Sequence, residues 1–189
     1  MIEIMATLMG LIQGALVWAN KRSNWIFYCL QYAFLVIFSY TAHLYGDVTN
    51  SICYFCVGII GWILWGKKKK ERPIGKCSNR ERVLYFSIIV ILTVIVFVIL
   101  KNTNDPLPFL DAITTTTSYV ATYYMVTKKI DTWILWLIND ILYVTEYWLL
   151  PDQALYLMAL NIIWTGMAIG SFITWNKIYK KQLEEKQHE

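Results

Sequence analysis

A chain of 189 residues that is 57% apolar, only 16% charged and has a mean hydropathy of +0.44 is too apolar for an ordinary soluble domain. Its charges are gathered into short blocks between long neutral runs, so the net +4 bears on membrane topology rather than on nucleic acid. The four cysteines make no disulfide framework, and no Gly-rich phosphate loop ends in Lys-Ser/Thr, which excludes a disulfide scaffold and self-powering by ATP.

The apolar segments predict helices over 2–19, 25–41, 48–65, 83–100, 109–126, 133–150 and 154–175. The first has no basic residue ahead of it, since the first Lys is Lys21, so it reads as a retained helix rather than a cleavable leader. The fourth, Val83 to Leu100, carries no charge, Gly or Pro, and at helical rise it is roughly 27 Å long, about the thickness of a bilayer core. Its polar side chains are Tyr85, Ser87 and Thr93, too few to hold a ligand, so it reads as a structural linker. The expected architecture is an all-α integral membrane protein of seven transmembrane helices in a 3+1+3 parallel repeat. The corresponding division is 1–66 for the first three-helix unit, 67–107 for the basic loop and linker helix, 108–176 for the second unit and 177–189 for a solvated, frayed helical tail.

Seven crossings place every Lys and Arg except Lys101 on one side. That side is the cytoplasm by the positive-inside rule, with the N-terminus outside. The basic run from Lys67 to Arg82 reads as a stop-transfer signal and lipid-headgroup anchor, with no nucleic-acid partner. The halves echo one another. Lys21-Arg22 precedes Trp25, and Lys128-Lys129 precedes Trp133. Outer turns fall at Leu44-Tyr45-Gly46-Asp47 and Leu150-Pro151-Asp152-Gln153. Each half closes on a Gly and a Trp: Gly61 and Trp65, then Gly170 and Trp175.

Polar groups inside a bilayer are expensive and mark function or interhelical contacts. On the sixth helix Trp133, Trp136, Asp140, Tyr143 and Tyr147 fall within roughly 80° of one another. At a spacing of 108 the second helix offers Trp25, Tyr28, Tyr32, Leu35 and Ser39, and the two stripes are expected to face each other. One reading is a slot for a flat aromatic ligand, cationic if Asp140 is ionised. The other is an interfacial aromatic belt with a neutral or hydrogen-bonded Asp140. Glu146, about 120° away, is either an exit-rim residue or a packing partner. Further candidates are Asn50 and Tyr54 on the third helix, Asn161 on the seventh, Asp111 with Thr114 to Thr117 on the fifth, and the amides Gln13 and Gln31. Gly10-x-x-x-Gly14 and Gly166-x-x-x-Gly170 permit close helix approach. Cys53-x-x-Cys56 lacks two further zinc ligands, because His43 and His188 are poorly placed, so neither metal nor cofactor is expected. No HExxH motif or nucleophile elbow supports an enzyme, and the aromatic stripe argues against a small watery channel.

These stretches resemble the PnuC transporters of nicotinamide riboside and related vitamins. The resemblance rests on Lys21-Arg22-Ser23-Asn24-Trp25, Leu44-Tyr45-Gly46-Asp47, Gly61-Trp62-x-x-Trp65, Pro108-Phe109-x-Asp111, Trp133-x-x-Trp136 followed by Asn139 and Asp140, and the closing Gly170 and Trp175. It runs from Leu8 to Trp175 and implies a fold like that of the sugar-transporting SWEET proteins, a homotrimer in the plasma membrane, and facilitated diffusion with the cargo trapped by phosphorylation. It also implies substrate contacts at Trp133 and Trp136. Two departures bear on the cargo: Gly58 stands where an Asn is often found, and Asp140 where an amide is common. Nicotinamide riboside is the expected cargo, with thiamine or a deoxyribonucleoside as alternatives within the family and a small channel or membrane sensor outside it.

Overall fold

The computed structural model describes residues 2–41, 45–66, 71–103, 105–149 and 155–187. These form seven helices and no strand: α1 Ile2–Trp18, α2 Asn24–Thr41, α3 Tyr45–Trp65, α4 Asn79–Leu100, α5 Pro108–Val126, α6 Asp131–Leu149 and α7 Leu155–Gln187. Two ends follow local chemistry. Ser78 and Glu81 make a capping box, so α4 starts a turn before its apolar run: Ser78 Oγ accepts from Glu81 N at 3.2 Å and the Glu81 carboxylate accepts from Ser78 N at 2.7 Å. Pro108 opens α5, where its missing N–H costs nothing.

Two sequence expectations change. Tyr45, Gly46 and Asp47, read as an outer turn, belong to α3. The tail, expected to fray, continues α7 as one helix of 33 residues, about 50 Å long. Its residues are good helix formers, and the exposed Lys181–Glu185 pair at 3.9 Å adds little. Leu44, the second outer turn at 150–153, His43, His188 and the lysines 67–70 lie outside the described residues.

The chain divides into two compact units, Met1–Pro73 and Ile74–Glu189, so the linker helix α4 groups with the second unit. In the first unit α1 packs on α2 and α2 on α3. Ile4, Leu8, Ile26, Leu30, Ile59 and Ile63 are exposed, an outer surface suited to lipid. Trp25 and Trp65 are fully buried and meet edge-on, with centroids 5.6 Å apart at 87°. A Cβ on Gly61 would stand 2.5 Å from the rigid Trp25 ring, so that glycine is needed for close approach, whereas one on Gly10 would meet only the movable end of Gln31, 2.9 Å from Nε2. Gly166 differs, because a Cβ there would meet nothing within 4 Å.

In the second unit α4 packs on α5, α5 on α6 and α6 on α7. α4 presents Val83, Phe86, Ile91, Val94 and Ile99 outward. Its best window has a mean hydropathy of 3.2. Thr93 Oγ1 meets Thr116 Oγ1 at 2.7 Å, and Tyr85 packs on Tyr123 and Tyr124 at 5.1 and 5.2 Å. Tyr85 and Thr93 of the apolar run therefore serve packing, and exposed Ser87 bonds back to the Val83 carbonyl at 2.9 Å.

Part of the basic stretch docks on the protein itself. Residues 74–82 form a strap fastened to the α5–α6 turn. Gly75 N donates to Lys128 O at 3.0 Å and Ile130 N to Gly75 O at 2.9 Å. Asp131 accepts from Cys77 N at 2.8 Å and from Arg82 Nε at 2.7 Å, and Lys129 Nζ pairs with Glu81 at 3.0 Å. The strap seals Cys77, 6% exposed, and burial pushes its thiol up to about 11.

A raised thiol pKa leaves little thiolate at neutral pH. Cys77 should resist maleimide at pH 7.5, and its labelling rate should still be climbing beyond pH 9, where an ordinary thiol has levelled off. Asp131→Ala removes both bonds to the strap and should speed that labelling about tenfold. Peptide mapping of labelled full-length protein reads this. Equal rates in the two proteins would mean the strap does not depend on Asp131.

Candidate functional site

The register of α6 is set at its first turn. Asp131 holds the strap, Thr132 Oγ1 donates to Ala121 O on α5 at 2.8 Å, and Trp133 packs edge-on against Trp175 of α7 at 5.2 Å and 86°. Three fastenings in three residues fix the rotation of the helix against both neighbours. Everything further along α6 is placed by them.

Two turns on, that rotation buries Asn139 and Asp140. Asn139 is 0% exposed, and neither Nδ2 nor Oδ1 has a hydrogen-bond partner among the described residues. Asp140 is 5% exposed, and among the described residues nothing donates to it or neutralises it. Buried polar groups are normally paired, and an unpaired amide or carboxylate costs several kcal/mol, on the order of 2–7 for the amide. Trp136 lies about 40° around the helix from Asp140. It is half-buried and joins no ring pair among the described residues. The Trp133-x-x-Trp136 motif is thus split: Trp133 pairs with Trp175, and Trp136 has no ring partner among the described residues.

The far part of α6 is different. Tyr143 and Tyr147 stack on each other at 5.7 Å and 12°. Thr114 Oγ1 sits 2.8 Å from Leu110 O, 3.1 Å from Asp111 O and 3.3 Å from Glu146 Oε2. Thr115 Oγ1 donates to Asp111 Oδ1 at 3.1 Å. Of the two roles weighed for Glu146, the contact with Thr114 matches the packing partner. Asn161 is half-buried on α7, and its carbonyl accepts from Thr165 Oγ1 at 2.9 Å.

In the first unit Trp25, Tyr28, Tyr32 and Tyr54 come together, but as a self-packed cluster. Trp25 meets Tyr28 at 5.2 Å, Tyr28 meets Tyr32 at 4.7 Å and Tyr54 at 6.5 Å, and Tyr32 stacks on Tyr54 at 4.9 Å and 24°. Asn50 is exposed on α3. Gly58 has a steric explanation: a Cβ there would lie 2.6 Å from Cys29 Sγ and 3.0 Å from the Tyr28 ring, so an amide does not fit without displacing them. Trp65 and Trp175 stood in the motifs as closing residues. Their role as ring partners of Trp25 and Trp133 emerges only in the fold, as does the Arg82–Asp131 bond, whose members are 49 residues apart. Among the described residues no group of three or more His, Cys, Asp or Glu is placed to hold a metal. Cys53 and Cys56 are exposed free thiols.

Residues 1–177 match the family model described as nicotinamide mononucleotide transporter. The chain is 24% identical to the nicotinamide riboside transporter PnuC of Neisseria mucosa over 192 residues, which cover 93% of this chain and 72% of that protein. It is 24% identical to the Escherichia coli protein of the same name over 204 residues, covering 92% of this chain and 84% of that one. A crystal structure of the vitamin B3 transporter PnuC superposes with a TM-score of 0.75 at 23% identity, covering 95% of this chain and 82% of the other. That likeness establishes the helical fold.

The unpaired amide gives a test needing no ligand. Asn139→Leu removes two unsatisfied polar atoms while keeping the number of side-chain heavy atoms, so the unliganded protein should melt at the same temperature or higher, within about 1 kcal/mol. A loss of about 1–3 kcal/mol in thermal unfolding would instead identify Asn139 as a structural hydrogen-bonding residue.

Proposed function

We propose that this chain, which belongs to the nicotinamide mononucleotide transporter family, carries nicotinamide riboside across the plasma membrane by facilitated diffusion. The family makes it a multi-pass membrane transporter and not an enzyme. The cargo follows from the names of its relatives together with one local feature: Asp140 is buried without a counter-ion beside an amide with no partner. A carboxylate in low dielectric favours a cation, and the ring of nicotinamide riboside carries its positive charge within a flat aromatic system. Trp136 and Tyr143 lie within about 20° of each other on α6 and supply faces for that ring. Asn139 can donate and accept at once, which suits a carboxamide or ribose hydroxyls. Trp133 acts through Trp175 by holding α6, and Tyr147 is held in the stack with Tyr143. We assign the rings of Trp25, Tyr28, Tyr32 and Tyr54 to packing of the first unit.

Thiamine shares the charged aromatic ring and is the second reading on the strength of the same Asp140. A neutral deoxyribonucleoside uses that carboxylate only as an acceptor. The basic residues favour an outside N-terminus and a cytoplasmic C-terminus, with α7 extending into the cytosol on Lys177, Lys180, Lys181 and Lys186. A homotrimer is the expected assembly from the family resemblance.

Purified protein in liposomes should equilibrate labelled nicotinamide riboside with neither ATP nor an ion gradient. Strict dependence on a proton gradient would replace facilitated diffusion by coupling. Asp140→Asn should weaken binding of nicotinamide riboside about tenfold to a hundredfold while changing affinity for an uncharged nucleoside much less. Equal losses for both ligands would remove the charge argument. Trp136→Ala should raise the Kd for nicotinamide riboside about tenfold without lowering the unliganded melting temperature, measured by calorimetric titration.

A further inference from the structure

The first unit carries a surface groove of about 420 Å³ between α2 and α3, remote in sequence from α6 and lined by apolar side chains. Trp25 and Trp62 stand at one end, and Leu30, Ala33, Phe55 and Ile59 continue it. From Trp25 to Ala33 it follows α2 for about 12 Å along the helix axis. Leu30 and Ile59 are exposed, so its walls face outward.

The end of the groove at Trp62 is basic. Arg22 stacks over the Trp62 ring at 3.8 Å and donates Nε to the Trp62 carbonyl at 2.7 Å. Those two contacts hold the guanidinium rigidly while leaving its terminal nitrogens without partners among the described residues. Lys21 is exposed beside it. A fixed, planar guanidinium with both terminal NH2 groups free is matched to the oxygens of a phosphate. An apolar channel opening under such a fork has the layout of one phospholipid: a tail along the helices and a charged head where the helices leave the hydrocarbon.

We propose that the α2–α3 groove of the first unit is a binding site for an anionic phospholipid, with an acyl chain along Leu30, Ala33, Phe55 and Ile59 and its phosphate at Arg22. The lipid covers apolar surface over the α2–α3 seam, where Cys29 Sγ reaches Phe55 O at 3.8 Å and Trp25 is seated on Gly61. Its occupancy therefore stabilises the unit. Headgroup selection comes from charge, and retention from the groove.

Native mass spectrometry of the full-length protein in mild detergent tests this with phosphatidylglycerol and phosphatidylcholine of identical chains. Wild-type protein should retain phosphatidylglycerol about fivefold better. Arg22→Gln should abolish the preference. Leu30→Trp, a change at an exposed position that fills the groove, should lower retention of both lipids. Inorganic phosphate should not displace the bound phosphatidylglycerol. Four results would overturn the proposal: equal retention of both lipids by the wild type, an unaltered preference in Arg22→Gln, displacement by inorganic phosphate, or full retention in Leu30→Trp. A second copy of the chain as the occupant is the competing outcome. Leu30→Cys would then cross-link copies efficiently while no lipid is retained, and that also overturns it.

Discussion

Each unit is keyed by two indoles meeting edge-on: Trp25 with Trp65, and Trp133 with Trp175. The angles, 87° and 86°, put the positive edge of one ring against the negative face of the other, the favoured aromatic geometry. In lipid the usual hydrophobic drive between helices is absent, so association rests on packing contacts of this kind and on hydrogen bonds. The pairs also explain the small residues nearby. Four positions before each closing Trp stands a buried small residue, Gly61 or Ser171, and a Cβ on Gly61 would strike Trp25. Once Trp133 is locked to Trp175 and Thr132 to α5, Asn139 and Asp140 have no freedom to turn away from the interior.

Much of this was legible because bilayer physics leaves few options. Long neutral runs can only be helices there, so the seven helices are found within a few residues of their expected ends, α7 excepted. The repeated placement of Trp25 and Trp133 after paired basic residues pointed at positions that the fold then treats alike. What periodicity cannot provide is the partner. A helical wheel placed Trp133 and Trp136 on one stripe, but only α7 decides that Trp133 has a ring partner where Trp136, among the described residues, has none. The stripe on α2 shows the same limit: its rings are polar-tipped and evenly spaced, and nothing local reveals that Tyr54 of α3 packs against them. The docking of the strap was not legible because charge dominates its composition, whereas that docking depends on backbone groups of Gly75 and Cys77 and on one acid, Asp131, at the start of a distant helix.

The second unit pairs many of its buried polar groups and leaves Thr122 Oγ1, Trp133 Nε1, Ser171 Oγ, Gln182 Oε1 and the Asn139 amide without a partner among the described residues. Thr93, Thr114, Thr116, Thr132 and Thr145 all turn their hydroxyls onto a carbonyl or another side chain, so each settles its own demand inside the protein. Asp131 is satisfied twice over by the strap. Among the unpaired groups the amide of Asn139 and the carboxylate of Asp140 stand out because they are adjacent and buried, and because both polar atoms of the amide lack a partner. A purely structural helix gains by replacing them with apolar residues of the same size. On the proposed reading their cost is offset when something polar, and for an ionised Asp140 positive, occupies the space beside them. Since a carrier must also let its cargo go, that offset has to be partial. A pair of groups that is expensive when empty and only adequately satisfied when filled meets that condition better than a site complete in itself.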